Sequence, residues 1–319
     1  MHIAILDDYQ NVALSMADWS AVAAKAEIAV FNEHLGGTDA VAGALAGFDA
    51  AVVMRERTPF PRALIEKLPD LKLLVTPGMR NLGIDLDAAA DHGVMVCGTE
   101  NVGSTTSELA WSLILALARN VVGEDANVRA GKWQSSVGIG LSDKTLGILG
   151  LGKIGASVAA VGRAFGMEVV AWSRNLTEAR CAEHGVRLAA SRDALLSEAD
   201  FVTIHMVLSE RTRALVGARE FALMKPTAYL VNTSRGPIVE EVALIEAVTS
   251  RRIAGAAIDV FDTEPLPPDH PMRRLPNAIL TPHLGYVTDR NYRLWYRQCA
   301  EDVAAWLDGA PVRVLNAPA

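Results

Sequence analysis

Gly150-Leu151-Gly152-Lys153-Ile154-Gly155 follows the apolar residues Leu146, Ile148 and Leu149 and precedes a small-residue helical pattern, Ala156, Val158, Ala159, Ala160 and Val161. The order reads as strand, glycine turn, helix. Gly150 allows a tight turn, Gly152 lets backbone approach a pyrophosphate, and Gly155 lets the helix pack close against the strand. The pyrophosphate is expected on the N–H groups at the helix start, so Lys153 and Ile154 join the candidate cofactor-binding residues. A lone GxGxxG is weak in a chain with 25 glycines. Here the flanking pattern makes the turn a dinucleotide site.

Working outward, strand and helix alternate along the chain. Before the turn, strands are expected at 3–6, 28–31, 50–54, 71–75 and 94–96. Helical spacing covers 12–24, 38–46, 61–68 and 85–92. Ser104, Thr105, Thr106 and Ser107 then supply capping residues for a long helix from about 105 to 119. Residues 120–142 read as an irregular connection, with Trp133 as its expected anchor. Beyond it, strands at 144–149, 168–172, 201–205, 228–232, 256–260 and 278–280 interleave with helices near 153–165, 177–184, 191–197, 217–222 and 239–250. Residues 288–306 have helical periodicity, and 312–315 is expected to rejoin the first sheet. Such alternation implies right-handed crossovers and parallel sheets covered on both faces. The expected class is therefore α/β, with two doubly wound domains. A Rossmann-type dinucleotide-binding domain (101–286) is inserted into a discontinuous flavodoxin-like substrate domain (1–100 and 287–319). Ligands of such sheets gather at the carboxyl ends of strands. For the first domain that rim holds Asp7, Arg55, residues 76–80 and residues 97–102.

The chain has 319 residues, 50% hydrophobic, with a formal net charge of −7. An acidic balance without blocks of like charge speaks against nucleic acid as a partner. The apolar stretch at 109–118 is too short to span a bilayer, and the N-terminus lacks a signal-peptide pattern, so a cytoplasmic location is expected. Cys97, Cys181 and Cys299 are odd in number and never in CxxC spacing, so no disulfide framework and no metal site are expected.

Three segments near strand ends of the second domain each carry one chemically pointed residue: Asn232-Thr233-Ser234-Arg235-Gly236, Asp259-Val260-Phe261-Asp262-Thr263-Glu264-Pro265, and Thr281-Pro282-His283-Leu284-Gly285. With the glycine turn, this ordered set resembles the D-isomer-specific 2-hydroxyacid dehydrogenase family, of the glyoxylate/hydroxypyruvate reductase kind. The resemblance covers nearly the whole chain. It implies that Arg235 grips the carboxylate and keto oxygen of a small 2-oxo acid, a task suited to a planar, permanently charged fork. His283 matches the family's acid/base residue, and Glu264 the partner that holds one tautomer and favours the imidazolium. Thr106, Thr233, Asp259 and Gly285 match cofactor contacts, Asp259 at the nicotinamide end. Gly78 and Met79 match the loop holding the substrate carboxylate. His205 begins a segment similar to the family's HxPL cofactor loop, although Val207 stands where proline is usual, which should loosen the loop. A homodimer is implied.

Two local features refine this. NAD-specific folds place an acid about 20 residues past the glycine turn. This chain has Ser173-Arg174-Asn175 there, so both cofactors NAD(P)H are expected to serve, with NADPH slightly favoured through Ser173 and Arg174. On the first domain's rim, Arg55-Glu56-Arg57 and Arg80 are more charged than in many relatives; a surface Arg–Glu pair is the favoured reading over extra grip on the substrate. Formate and phosphite dehydrogenases share the scaffold. Relatives acting on formate place glutamine beside the histidine, so Glu264 argues against formate and leaves phosphite oxidation as an alternative. A non-catalytic, cofactor-sensing binding protein is a further alternative; such relatives carry long disordered tails, whereas this chain ends soon after its last expected strand.

Overall fold

A computed structural model describes residues 1–103 and 105–316. The chain divides into two compact units, Met1–Gly103 with Thr288–Ala319, and Ser104–Val287.

The first unit runs β1 (His2–Ile5), α1 (Ala13–Met16), α2 (Ser20–Ala23), β2 (Glu27–Val30), α3 (Thr38–Ala44), β3 (Ala50–Val52), α4 (Arg62–Ile65), β4 (Leu73–Thr76), α5 (Leu86–Asp91) and β5 (Met95–Gly98). Its strands form a parallel sheet in the order β2-β1-β3-β4-β5. Ile3, Ala4 and Ile5 are inaccessible to solvent, as a strand covered on both faces requires. The expected helix over 12–24 is broken. Ala17 is extended, the Asp18 carboxylate accepts from the Ser20 N–H, and the Trp19 indole donates to the Ala13 carbonyl, so the chain stops and restarts a helix. The unit resumes after the second one with a long helix, Asp289–Leu307. The segment expected to rejoin the sheet does so through one antiparallel bridge, Cys97 to Val314, rather than as a full strand.

The second unit begins with α6 (Thr105–Arg119), whose Ala110, Leu113, Ile114, Leu117 and Ala118 form one buried stripe. Asn120 then takes a left-handed conformation, and α7 (Val121–Arg129) follows where no regular structure was expected. Nor is Trp133 an anchor: it is 79% exposed, and α7 buries none of its residues. Next come β6 (Thr145–Leu149), α8 (Lys153–Ala164), β7 (Glu168–Trp172), α9 (Glu178–Glu183), β8 (Arg187–Leu188), α10 (Arg192–Glu198), β9 (Phe201–Ile204), α11 (Ala218–Leu223), β10 (Tyr229–Asn232), α12 (Glu241–Thr249), β11 (Gly255–Ile258) and β12 (Ala278–Leu280). All pairings are parallel, in the order β12-β11-β10-β9-β6-β7-β8. The described sheet therefore has seven strands rather than the six expected, because the two-residue β8 is too short to show in apolar periodicity. Strand order reverses direction between β6 and β9, the place where open α/β sheets take their ligands. Segments far apart in sequence follow adjacent strands there: His205 after β9, Asn232 to Arg235 at β10, Asp259 after β11 and Thr281 to Gly285 after β12.

Candidate active site

The glycine turn connects β6 to α8. Gly150 has φ +100°, and a Cβ there would lie 2.6 Å from the His205 carbonyl oxygen. A Cβ on Gly155 would collide with the Gly150 carbonyl oxygen, so the first turn of α8 lies directly on the loop. Around Gly152 there is open space, and no side chain caps the helix. Its leading N–H groups are thus presented as a cradle for an anion. Lys153 is exposed, whereas the Ile154 side chain packs partly into the core, which leaves its backbone as the group suited to a ligand. Among the described residues, His205 Nδ1 and Thr233 Oγ1 are buried polar atoms without a hydrogen-bond partner. His205 Nε2 meets Thr203 Oγ1 at 2.9 Å, and burial lowers the imidazole to about 4, so the ring is neutral near pH 7. The loop beyond it is tied despite Val207: Thr212 Oγ1 donates to the Val207 carbonyl and accepts from the Ser209 N–H. At the end of β7, Ser173 is half-buried and Arg174 exposed. These residues fit a dinucleotide.

The three chemical loops are locked to one another. Asn232 accepts from the Ser234 N–H and donates to the Arg235 carbonyl, while Ser234 Oγ donates to the Met206 carbonyl. A Cβ on Gly236 would collide with the Phe261 carbonyl, so this glycine lets the Arg235 loop touch the loop carrying Glu264. Glu264 Oε1 accepts the Phe261 N–H at 2.9 Å, and Oε2 lies 2.6 Å from His283 Nδ1. The carboxylate is thereby held from one side and aimed at the imidazole from the other. His283 itself is left-handed, φ +53°, its N–H shared between the carbonyls of Asp259 (2.8 Å) and Thr281 (3.0 Å).

Asp259 explains how that conformation is held. Its carboxylate, with no exposure, accepts from Thr281 Oγ1 (2.6 Å), the Leu284 N–H (2.7 Å) and the Gly285 N–H (3.0 Å). Burial raises its pKa, and these donors together with His283 oppose that rise. The resemblance gives Asp259 a cofactor contact; its carboxylate also holds the loop. The hydroxyls of Thr105 and Thr106 in turn donate to the Gly285 carbonyl at 2.9 and 3.1 Å.

In the first unit, Gly78 has φ +82° and its N–H donates to Thr99 Oγ1 at 2.9 Å. A Cβ there would collide with Arg55 Nη1, which donates to the Pro77 carbonyl at 2.8 Å. Arg55 also pairs with Glu56 at 3.6 Å, and Arg57 lies 5.1 Å over the Tyr9 ring. Met79 is exposed. No group of His, Cys, Asp or Glu among the described residues could hold a metal ion, and no described helix is long and apolar enough to cross a membrane.

The sequence assigns no role of their own to Thr281, Thr105, Gly236 and Tyr286, although Gly236 and Thr281 stand in the quoted segments and Thr105 among the capping residues. The roles of the first three come from tertiary contacts: the Asp259 bond, the Gly285 bond and the close approach to Phe261. Tyr286, three residues after His283, was visible as a bulky aromatic following a glycine.

A model of the D-isomer specific 2-hydroxyacid dehydrogenase NAD-binding domain matches residues 111–285. A glyoxylate reductase of Aeropyrum pernix is 39% identical over 264 residues, 79% of this chain and 78% of that one. A D-3-phosphoglycerate dehydrogenase of Methanocaldococcus jannaschii is 36% identical over 271 residues, 84% of this chain; the chain spans about half of that relative, 52%. Among solved structures, a putative D-3-phosphoglycerate dehydrogenase oxidoreductase from Ralstonia solanacearum superposes with TM-score 0.92 at 36% identity, covering 99% of this chain and 96% of that one. The matched domain indicates a nicotinamide cofactor, and the chain belongs to the D-isomer-specific 2-hydroxyacid dehydrogenase family of oxidoreductases.

Proposed function

We propose that the protein is a cytoplasmic, NAD(P)H-dependent reductase of a small 2-oxo acid, giving the D-2-hydroxy acid, with His283 as its acid/base. The reading is supported above all by the 2.6 Å contact between His283 Nδ1 and Glu264 Oε2. With Nδ1 facing Glu264, Nε2 is the ring nitrogen proposed to give a proton to the developing alkoxide, or to take it in the reverse direction. Glu264 holds the tautomer and stabilises the imidazolium. Arg235, on a loop fixed by Asn232 and Gly236, pairs with the carboxylate and keto oxygen and orients the carbonyl. Gly78 and Met79 are proposed to engage the substrate carboxylate from the first unit. The nicotinamide, when bound, supplies the hydride. The glycine turn, Thr106, Thr233, His205 and Gly285 are proposed to bind the dinucleotide. Exposed Arg174 and the Ser173 hydroxyl suit a 2′-phosphate, with no acid at that strand end to repel it, so NADPH is expected to be preferred slightly. The exposed Val121, Val122 and Val128 of α7, with Trp133 and the 99% exposed Val137, suit a second copy of the chain, hence a homodimer.

A panel of 2-oxo acids, read by the absorbance of the reduced nicotinamide, tests the proposal. On the best substrate His283→Ala should lose roughly 10²–10⁴-fold in kcat. Arg235→Ala should also raise KM, its kcat/KM falling at least about 10-fold. Near wild-type kcat/KM in both variants would defeat the assignment. Arg174→Ala should narrow the preference for NADPH; a strong NADH preference, unchanged by the substitution, removes the phosphate-binding role.

A further inference from the structure

Residues 77–80, which follow β4, form the loop proposed to seat the substrate carboxylate, and a cation lies against its inner side. Gly78 is left-handed, and a Cβ on it would lie 2.3 Å from Arg55 Nη1. The guanidinium therefore occupies the space that a side chain at residue 78 would need. From there Nη1 donates to the Pro77 carbonyl at 2.8 Å and, at 3.4 Å, to the Arg80 carbonyl, so one planar group joins the two ends of the loop. The tie also runs the other way. Asn81 Nδ2 donates to the Arg55 carbonyl at 2.7 Å and to Thr76 Oγ1 at 2.9 Å. Arg55 is itself left-handed, φ +56°, a costly conformation for a residue with a side chain, and one that persists where surrounding bonds over-determine it. Its pairing with Glu56 at 3.6 Å exceeds an ordinary hydrogen bond, whereas the loop carbonyls lie within reach. On the opposite side the loop rests on β5: Thr99 Oγ1 accepts the Gly78 N–H, and a Cβ on Gly98 would lie 2.7 Å from the Gly78 carbonyl oxygen. The loop is clamped between Arg55 and the end of β5.

We propose that Arg55 is a positioning residue for the substrate: its guanidinium holds residues 77–80 in the shape that receives the carboxylate, and does not grip a second acidic group. The inference rests on the reading of Gly78 and Met79 as the carboxylate seat. A seat that binds the carboxylate equally in the ground state and the transition state contributes to KM and leaves kcat unchanged.

The test compares Arg55→Lys and Arg55→Met on two substrates of the panel, the best singly charged 2-oxo acid and the best one with a second carboxylate. Amide ¹⁵N spectra of glycine- and methionine-labelled protein, recorded without substrate or cofactor, follow Gly78 and Met79. Arg55→Met should raise KM roughly 10- to 100-fold for both acids, as loss of hydrogen bonds from a charged donor does, and shift both amide signals. Its kcat should stay within about two-fold. Arg55→Lys keeps the charge without the planar fork and should raise KM for both acids about 3- to 10-fold, which carries the test if the Met variant does not fold. A KM rise confined to the doubly charged acid would make Arg55 a substrate contact and overturn the proposal. Unmoved amide signals with unchanged KM, whatever the loss of stability in urea, would reduce Arg55 to an ordinary structural contact and overturn it too. Failure of the underlying reading looks different: the amide signals move while KM stays, so the loop depends on Arg55 but does not seat the carboxylate.

Discussion

Asp259 in the second unit and Asp302 in the first both have no exposure, and the two are treated very differently. Asp259 receives three donors from the loop it organises, two of them backbone N–H groups. Asp302 receives the Arg313 guanidinium on Oδ1 at 2.9 Å, while its Oδ2 is buried without a partner among the described residues. Its surroundings are the thiol-bearing Cys97 and Cys299, and burial outweighs Arg313, lifting the Asp302 carboxyl to about 7. Burying a carboxylate is costly unless its lone pairs are satisfied. At Asp259 the satisfied carboxylate becomes a fixed anchor for His283. At Asp302 the half-satisfied one becomes a proton-binding group inside a structural core.

The comparison is broken most severely at the anchor. Asp259→Asn keeps the shape but replaces one acceptor oxygen by a donor that faces a backbone N–H or the Thr281 hydroxyl. The His283 loop should shift, and kcat should fall about 10²-fold or more, as small misplacements of catalytic groups do. Circular dichroism would check that the fold persists; a folded variant with wild-type kcat would deny Asp259 its anchoring role.

A second experiment addresses pH. Asp302 has an ordinary value of 3.8 and a folded value of about 7. Between these limits the folded state keeps a proton that the unfolded state releases, so its contribution to stability is present at low pH and is lost as pH rises through that window. Asp302→Asn cannot ionise. Urea unfolding at about pH 5 and about pH 8 should therefore show a smaller fall in stability for the variant, by up to a few kcal/mol. The same slope in both proteins would mean that Asp302 does not carry the linkage.

The smallest effect sharpens the description of the Asp302 pocket. Burial pushes the Cys97 thiol up to about 12 and the Cys299 thiol well above its usual range, with Asp302 adding to both, and it raises Cys181 as well. Alkylation needs an accessible thiolate. Iodoacetamide should leave all three cysteines unmodified in the native enzyme and modify all three in guanidinium. Rapid native labelling of Cys97 or Cys299 would show that this core opens.

The sequence by itself determined the alternation of strand and helix and the glycine turn, and it singled out Arg235, Glu264 and His283 as candidates. Those signals are local: apolar periodicity, a GxGxxG between strand and helix, and short segments at strand ends. It gave no account of the break between α1 and α2, where an indole and a carboxylate compete for backbone groups, nor of α7, whose exposed faces lack an apolar stripe. Tertiary structure alone decided how the chemical loops hold one another. Asp259 reaches donors 22 to 26 positions away, Glu264 meets a histidine 19 positions on, and Gly236 is required by the backbone of Phe261. Parallel strands joined by helical crossovers bring these segments side by side. The bonds between them depend on strand order and loop shape, which no spacing along the chain specifies.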